Sequence, residues 1–107
     1  MTVEQTGVID AIGVDKESGE LVLTVSDHLE WGDEHLLLLQ KKLNLYIDFI
    51  EGGELLDVYP DSKGRQVSIN VVCKYPPDIK SSTFLSKVGS IVEQSGVKFT
   101  FETSSMS

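Results

Sequence analysis

The sequence predicts a two-layer α+β fold: a mainly antiparallel five-stranded sheet with two helices on one face, in the order ββαββαβ. Three observations point to it. Short runs with period-2 alternation flank two longer segments whose apolar residues recur at helical spacing. Glycine and proline clusters mark the joints between these segments. Each helical segment carries an apolar stripe, and one sheet face can bury both stripes.

The first two runs, 7–14 and 20–26, read as a β-hairpin. In the second, Leu21, Leu23 and Val25 alternate with Val22, Thr24 and Ser26. Between the runs, Asp15-Lys16-Glu17-Ser18-Gly19 is turn chemistry, with Gly19 free to take positive φ. Asp33 is the expected N-cap of the first helix, which runs to Ile50 or Glu51 and stops at Gly52-Gly53. Leu55 to Tyr59 reads as a short strand, and Pro60 to Gly64 as a turn. Gln66 to Tyr75 is the strongest strand. Val67, Ile69, Val71, Cys73 and Tyr75 share one face, and Pro76-Pro77 ends it. Ser81 or Ser82 is expected to cap the second helix. Its stripe is Phe84, Leu85, Val88, Ile91 and Val92, and Gly96 closes it. Val97, Phe99 and Phe101 alternate with Lys98, Thr100 and Glu102 in a last strand.

A chain of 107 residues fits a single domain spanning 1–107, with 1–5 and 103–107 as the expected flexible ends. The composition is 40% hydrophobic and 24% charged, enough to build one core without a staple. The only cysteine, Cys73, rules out an intramolecular disulfide and fits a reducing compartment. The N-terminus lacks a signal-peptide pattern, and the longest apolar run, Leu36 to Leu39, is too short to span a bilayer. A cytoplasmic location is the expectation.

The net charge is −8, unevenly placed. Residues 1–60 hold 13 acids against Lys16, Lys41 and Lys42, a net −10. Residues 61–107 hold four acids against five lysines and Arg65, a net +2. Nucleic acid and anionic membranes would be repelled by the first segment, and a basic partner attracted.

Chemistry-bearing residues concentrate between 26 and 35. Asp27, His28, Glu30, Trp31, Asp33, Glu34 and His35 lie where a strand ends and a helix begins, a junction at which sites often form. A metal reading would use His28 and His35 with Asp27 and Asp33. The seven-residue spacing of the histidines matches no common ligand pair, and the plainer reading leaves both at the surface. Ser26-Asp27-His28 cannot converge as a triad, and no nucleophile elbow is present. Cys73 lies in phase with Ile69 and Val71, which predicts an inert buried thiol. Phosphate-binding glycine motifs are absent, so no cofactor is expected. Trp31 is expected at the core edge.

The first helix has two apolar faces. Leu36, Leu39, Leu43, Tyr46, Ile47 and Ile50 form the stripe for the sheet. Leu38, Leu45 and Phe49 form a second patch, with Lys42 between the two and its ammonium extended to solvent. Either the rest of the chain covers this patch or it is a contact for another protein, most simply a second copy.

Several of these segments resemble a family of uncharacterised acidic bacterial proteins of about this length. They are Thr6 to Gly13, Ser26 to Trp31, Leu39 to Asn44 with Tyr46, Phe49 to Glu51 with Gly53, and Tyr59-Pro60. The resemblance covers nearly the whole chain. It implies a bacterial cytosolic protein and assigns no catalytic residue. The functional expectation is a non-catalytic interaction module. It would use Asp27, His28, Glu30, Trp31, Asp33, Glu34, Leu38, Leu45 and Phe49 to bind a second copy or a basic protein. An immunity protein neutralising a basic toxin is one form. The alternative is a small metal-binding protein or metal-dependent hydrolase using His28 and His35.

Overall fold

Alternation of apolar and small residues gives four strands in the computed structural model, which describes residues 11–103. They are β1 (Ala11–Val14), β2 (Leu21–Asp27), β3 (Val67–Cys73) and β4 (Lys98–Thr103). Helix α1 (Asp33–Glu51) and the short α2 (Glu54–Val58) connect β2 to β3. A 3-10 turn at Pro60–Ser62 follows α2. Helix α3 (Ile79–Gln94) connects β3 to β4. The part of the first expected run before Ala11 lies outside the described residues. No helix among the described residues is long and apolar enough to cross a membrane.

The sheet order is β1-β2-β3-β4. Only β1 and β2 pair antiparallel, through the turn that Gly19 closes at φ 75°. The pairs β2–β3 and β3–β4 are parallel. The fold is thus α+β with a mixed four-stranded sheet, in place of the expected five mainly antiparallel strands in the order ββαββαβ. The difference traces to Leu55–Tyr59. A short run that is apolar except at Asp57 is ambiguous between strand and helix, and here Leu55 to Val58 is helical with Tyr59 as its C-cap. The amide of Tyr59 donates to the carbonyl of Leu55 at 2.7 Å. No strand was needed there, because β2 already has β1 on one edge and β3 on the other. Without that strand there is no hairpin into β3. Helix α1 carries the chain back along the sheet, and β3 starts at the same end as β2. A parallel pair requires such a crossover.

Successive right-handed crossovers that advance in one direction place their helices on the same face. The burial pattern agrees. Leu21, Leu23 and Val25 of β2 and Ile69, Val71 and Cys73 of β3 form one buried face. The core they belong to also contains Leu39, Leu43 and Tyr46 of α1 and Leu85 and Val92 of α3. The buried Tyr46 donates its hydroxyl to the Thr24 carbonyl at 2.7 Å, tying α1 to β2. Helix α3 approaches β4 closely at Gly89, where a Cβ would stand 2.9 Å from the Phe99 ring.

Two helix starts differ from expectation. Helix α1 has Gly32 at its N-cap with no side-chain cap bond. Asp33, the expected cap, instead binds Lys80 of α3 at 2.5 Å. Helix α3 starts before Ser81, because Asp78 accepts the Ser81 amide at 2.8 Å. An aspartate three residues upstream outcompetes the serines as cap.

Candidate functional site

Strands β2, β3 and β4 all end on the same edge of the sheet, and both long helices begin there. Crevices outside the carboxyl ends of parallel strands are where ligands of open α/β sheets bind. Asp27 is the last residue of β2 and Cys73 the last of β3, and the two are register partners.

Strand parity puts Asp27 on the core face with Leu21, Leu23 and Val25, so its carboxylate points inward. A buried charge needs a partner. Asp27 Oδ2 lies 2.5 Å from Nε2 of His35, in the first turn of α1. The Asp27 side chain is 0% exposed and that of His35 3%. The other ring nitrogen, Nδ1, donates to the carbonyl of Glu30 at 3.1 Å. A carbonyl can only accept, so Nδ1 carries a hydrogen. The contact at Nε2 then requires a second proton, held either by the ring or by the carboxyl. In both forms the pair is neutral overall. Asp27 Oδ1 accepts the Leu29 amide at 3.2 Å.

Trp31 covers this pair. Its indole stacks on His35 with centroids 4.2 Å apart and 25° between planes. Its Nε1 donates to the Tyr75 carbonyl at 2.9 Å, which ties the β2–α1 loop to the β3–α3 loop. The expected core-edge role of Trp31 matches this placement. His35 does not match expectation, because it is buried rather than at the surface. Both of its nitrogens are engaged, so neither is free to take a proton from a substrate. His28 is exposed.

Cys73 is buried, as its strand phase predicts. Burial, with a smaller contribution from the Asp27 charge, pushes its thiol from 9.0 up to about 12. A thiol held this firmly protonated is a poor nucleophile. Among the described residues, no three His, Cys, Asp or Glu side chains gather closely enough to hold a metal ion. The residues of the metal reading are instead dispersed: Asp27 and His35 inside, His28 outside, and Asp33 turned toward Lys80.

Beside the buried pair, a groove of about 430 Å³ opens at the start of α1. Leu29, Glu30, Gly32, Asp33, Glu34, His35 and Leu38 line it. The acidic junction and the second face of α1 therefore meet at Leu38. Of the residues singled out in the sequence, the groove gathers Glu30, Asp33, Glu34 and Leu38. Asp27 and Trp31 support its wall from behind, through His35. Leu45 and Phe49 do not line it and are half-buried further along α1.

Lys42 departs most from expectation. It is 0% exposed, where an ammonium extended to solvent was expected, and it is not without a polar interaction. His35, Leu38, Lys42, Leu45 and Phe49 form one helical arc, and this arc is covered to a large extent. The signal was present in the sequence. Asp27 continues the buried phase of β2, and His35 continues the arc of Leu38 and Lys42 by helical spacing. Polar identity masked positions that periodicity had already marked as interior.

A family model described as a family of unknown function, DUF6572, matches residues 1–105. The chain belongs to the DUF6572 family. Membership supports the resemblance to an uncharacterised family. No curated protein and no solved structure matches the chain.

Proposed function

We propose that this DUF6572 chain is a non-catalytic protein-interaction module. Its groove at the β2–α1 junction would receive a basic side chain from a protein partner. One observation carries the reading: Glu30, Asp33 and Glu34 converge on a single groove. Only Asp33 has an ion-pair partner among the described residues, and that partner is Lys80. Leu29 and Leu38 give the groove an apolar side against which an arginine or lysine stem would pack. The buried Asp27–His35 pair and the Trp31 lid hold the first turn of α1 in place, so the carboxylates are arranged before a partner arrives.

A basic protein fits this groove better than an anion. The free amides at the start of α1 favour negative charge, but three carboxylates already surround them. A basic toxin bound by an acidic immunity-like protein is one concrete form. The test is calorimetric titration with an arginine-rich peptide. Wild type should bind it, more weakly at high salt. The Glu30→Lys, Glu34→Lys variant should lose binding while remaining folded. Absence of binding to wild type at low salt, or equal binding by the variant, would overturn the proposal.

A further inference from the structure

Among the described residues the sheet ends in two different edges. On one side lies β1, which contains Gly13 and is a poor template for pairing. On the other side β4 is a six-residue edge strand without proline, Lys98–Thr103. Edge strands of this length are normally blunted by unbalanced charge, proline or a bulge. In β4 the lysine is balanced by a glutamate four residues on. Phe101, on its helix-facing side, is 41% exposed.

The order of residues in β4 is self-complementary. An antiparallel pairing centred on Thr100 sets Lys98 opposite Glu102 of a second copy, Phe99 opposite Phe101, and Thr100 opposite Thr100. Each of these pairs shares a face, since directly opposed residues in antiparallel strands lie on the same side. Lys98, Thr100 and Glu102 belong to the open face, in register with Ser68, Asn70 and Val72. Phe99 and Phe101 belong to the helix face, in register with Ile69 and Val71. A shift by one residue would oppose phenylalanine and threonine across the two faces. A shift that moves the centre to Phe99 or Phe101 would lose the Lys98–Glu102 pairs.

We propose that β4 pairs antiparallel with β4 of a second copy about Thr100, joining two four-stranded sheets into one of eight strands. A twofold contact of this kind uses the Lys98–Glu102 and Phe99–Phe101 pairs twice each. It covers Phe101 with the partner's Phe99 and satisfies the edge backbone groups of both copies. It also brings the copies together through the segment 61–107, whose net charge is +2, and away from the −10 of the first 60 residues. Lys98 already touches Glu20 at 2.6 Å but remains 57% exposed, so it is within reach of a second carboxylate. This contact is separate from the acidic groove, whose lining includes no β4 residue.

Sedimentation equilibrium of the full chain at micromolar concentration tests the proposal. Wild type should be a dimer. Glu102→Lys sets lysine against lysine twice per dimer and should weaken association about tenfold. Adding Lys98→Glu to that variant exchanges the two charges and should restore the dimer. Circular dichroism checks that each variant is folded. Arginine-rich peptide binding should be the same in Glu102→Lys as in wild type, which separates this contact from the groove. A monomeric wild type would overturn the proposal, as would a dimer indifferent to Glu102→Lys or a charge-exchanged variant that stays dissociated.

Discussion

The two strand-to-helix junctions at the carboxyl edge occupy equivalent positions, yet they use their acids in opposite ways. At β2–α1 the strand ends on Asp27, whose carboxylate turns inward to His35, and the helix start at Gly32 has no side-chain cap. At β3–α3 the strand ends on Cys73, which offers only a buried thiol, and the carboxylate of Asp78 caps the helix from outside. The loops are joined where they pass. The Lys74 amide donates to the Asp27 carbonyl at 2.8 Å, and Trp31 donates to Tyr75. The difference teaches where a groove can form. The capped junction is closed by its own side chain. At the uncapped one, the first turn of α1 faces solvent with Asp33 and Glu34 around it.

The largest way to break this contrast is to remove His35. His35→Ala leaves the Asp27 carboxylate buried without its partner and should cost about 3–5 kcal/mol in chemical denaturation. Replacing Asp27 and His35 together by leucine should cost much less, because no charge is then stranded. Equal costs for the single and double variants would mean that the pair is not coupled.

Cys73 gives the next effect. With its thiol held near 12 in place of 9.0, native protein at neutral pH should react with iodoacetamide about a thousandfold more slowly than a free thiol, apart from any further shielding. The thiol's folded value is raised, so its contribution to stability is fully present below pH 9.0 and lost as pH rises toward about 12. The stability difference between wild type and Cys73→Ala should therefore hold steady below about pH 9 and shrink on the alkaline side.

Asp78→Ala should lower the thermal midpoint at neutral pH by less than His35→Ala does. The Ser81 amide holds the Asp78 carboxyl below its ordinary 3.8. Its folded value is depressed, so its contribution is present above the ordinary carboxylate range and lost as pH falls through the lowered value. The gap between wild type and Asp78→Ala should close in acid. The smallest effect is a gain. Gly32 is extended, and a Cβ there meets nothing within 4 Å. Gly32→Ser should supply the missing cap and stabilise by a few tenths of a kcal/mol, measured as a shift in the denaturation midpoint.

Much of the architecture was legible because periodicity and punctuation agreed. The hairpin turn at Gly19, the α1 stop at Gly52-Gly53, the core face of Ile69, Val71 and Cys73, and the one-sided stripe of α3 all follow from local chemistry. Strand direction did not follow, because it rested on the five residues from Leu55 to Tyr59, where strand and helix patterns coincide. The acidic junction was legible as a cluster, but its division was not. Which carboxylate turned inward depended on continuing the parity of β2 through Asp27 and the helical arc of α1 through His35 and Lys42. Those positions carry polar residues, and reading polarity as exposure hid them. The groove itself is a product of tertiary placement, since it needs Leu29 from the loop and Leu38 from the second turn of α1 side by side.

The parallel register of Leu21 with Val67 also bears on synthesis. A growing chain completes β1, β2 and α1 well before β3 exists. Until residues 67–73 have emerged, β2 has an open edge, and Leu21, Leu23 and Val25 lack half of their sheet. At about 5–20 residues per second this wait lasts a few seconds. Nascent apolar strands with unpaired edges are the segments most prone to associate with one another. The segment that waits is also the one that carries the net −10. Neighbouring nascent chains on one message would repel each other through that charge during the interval when their cores are still incomplete.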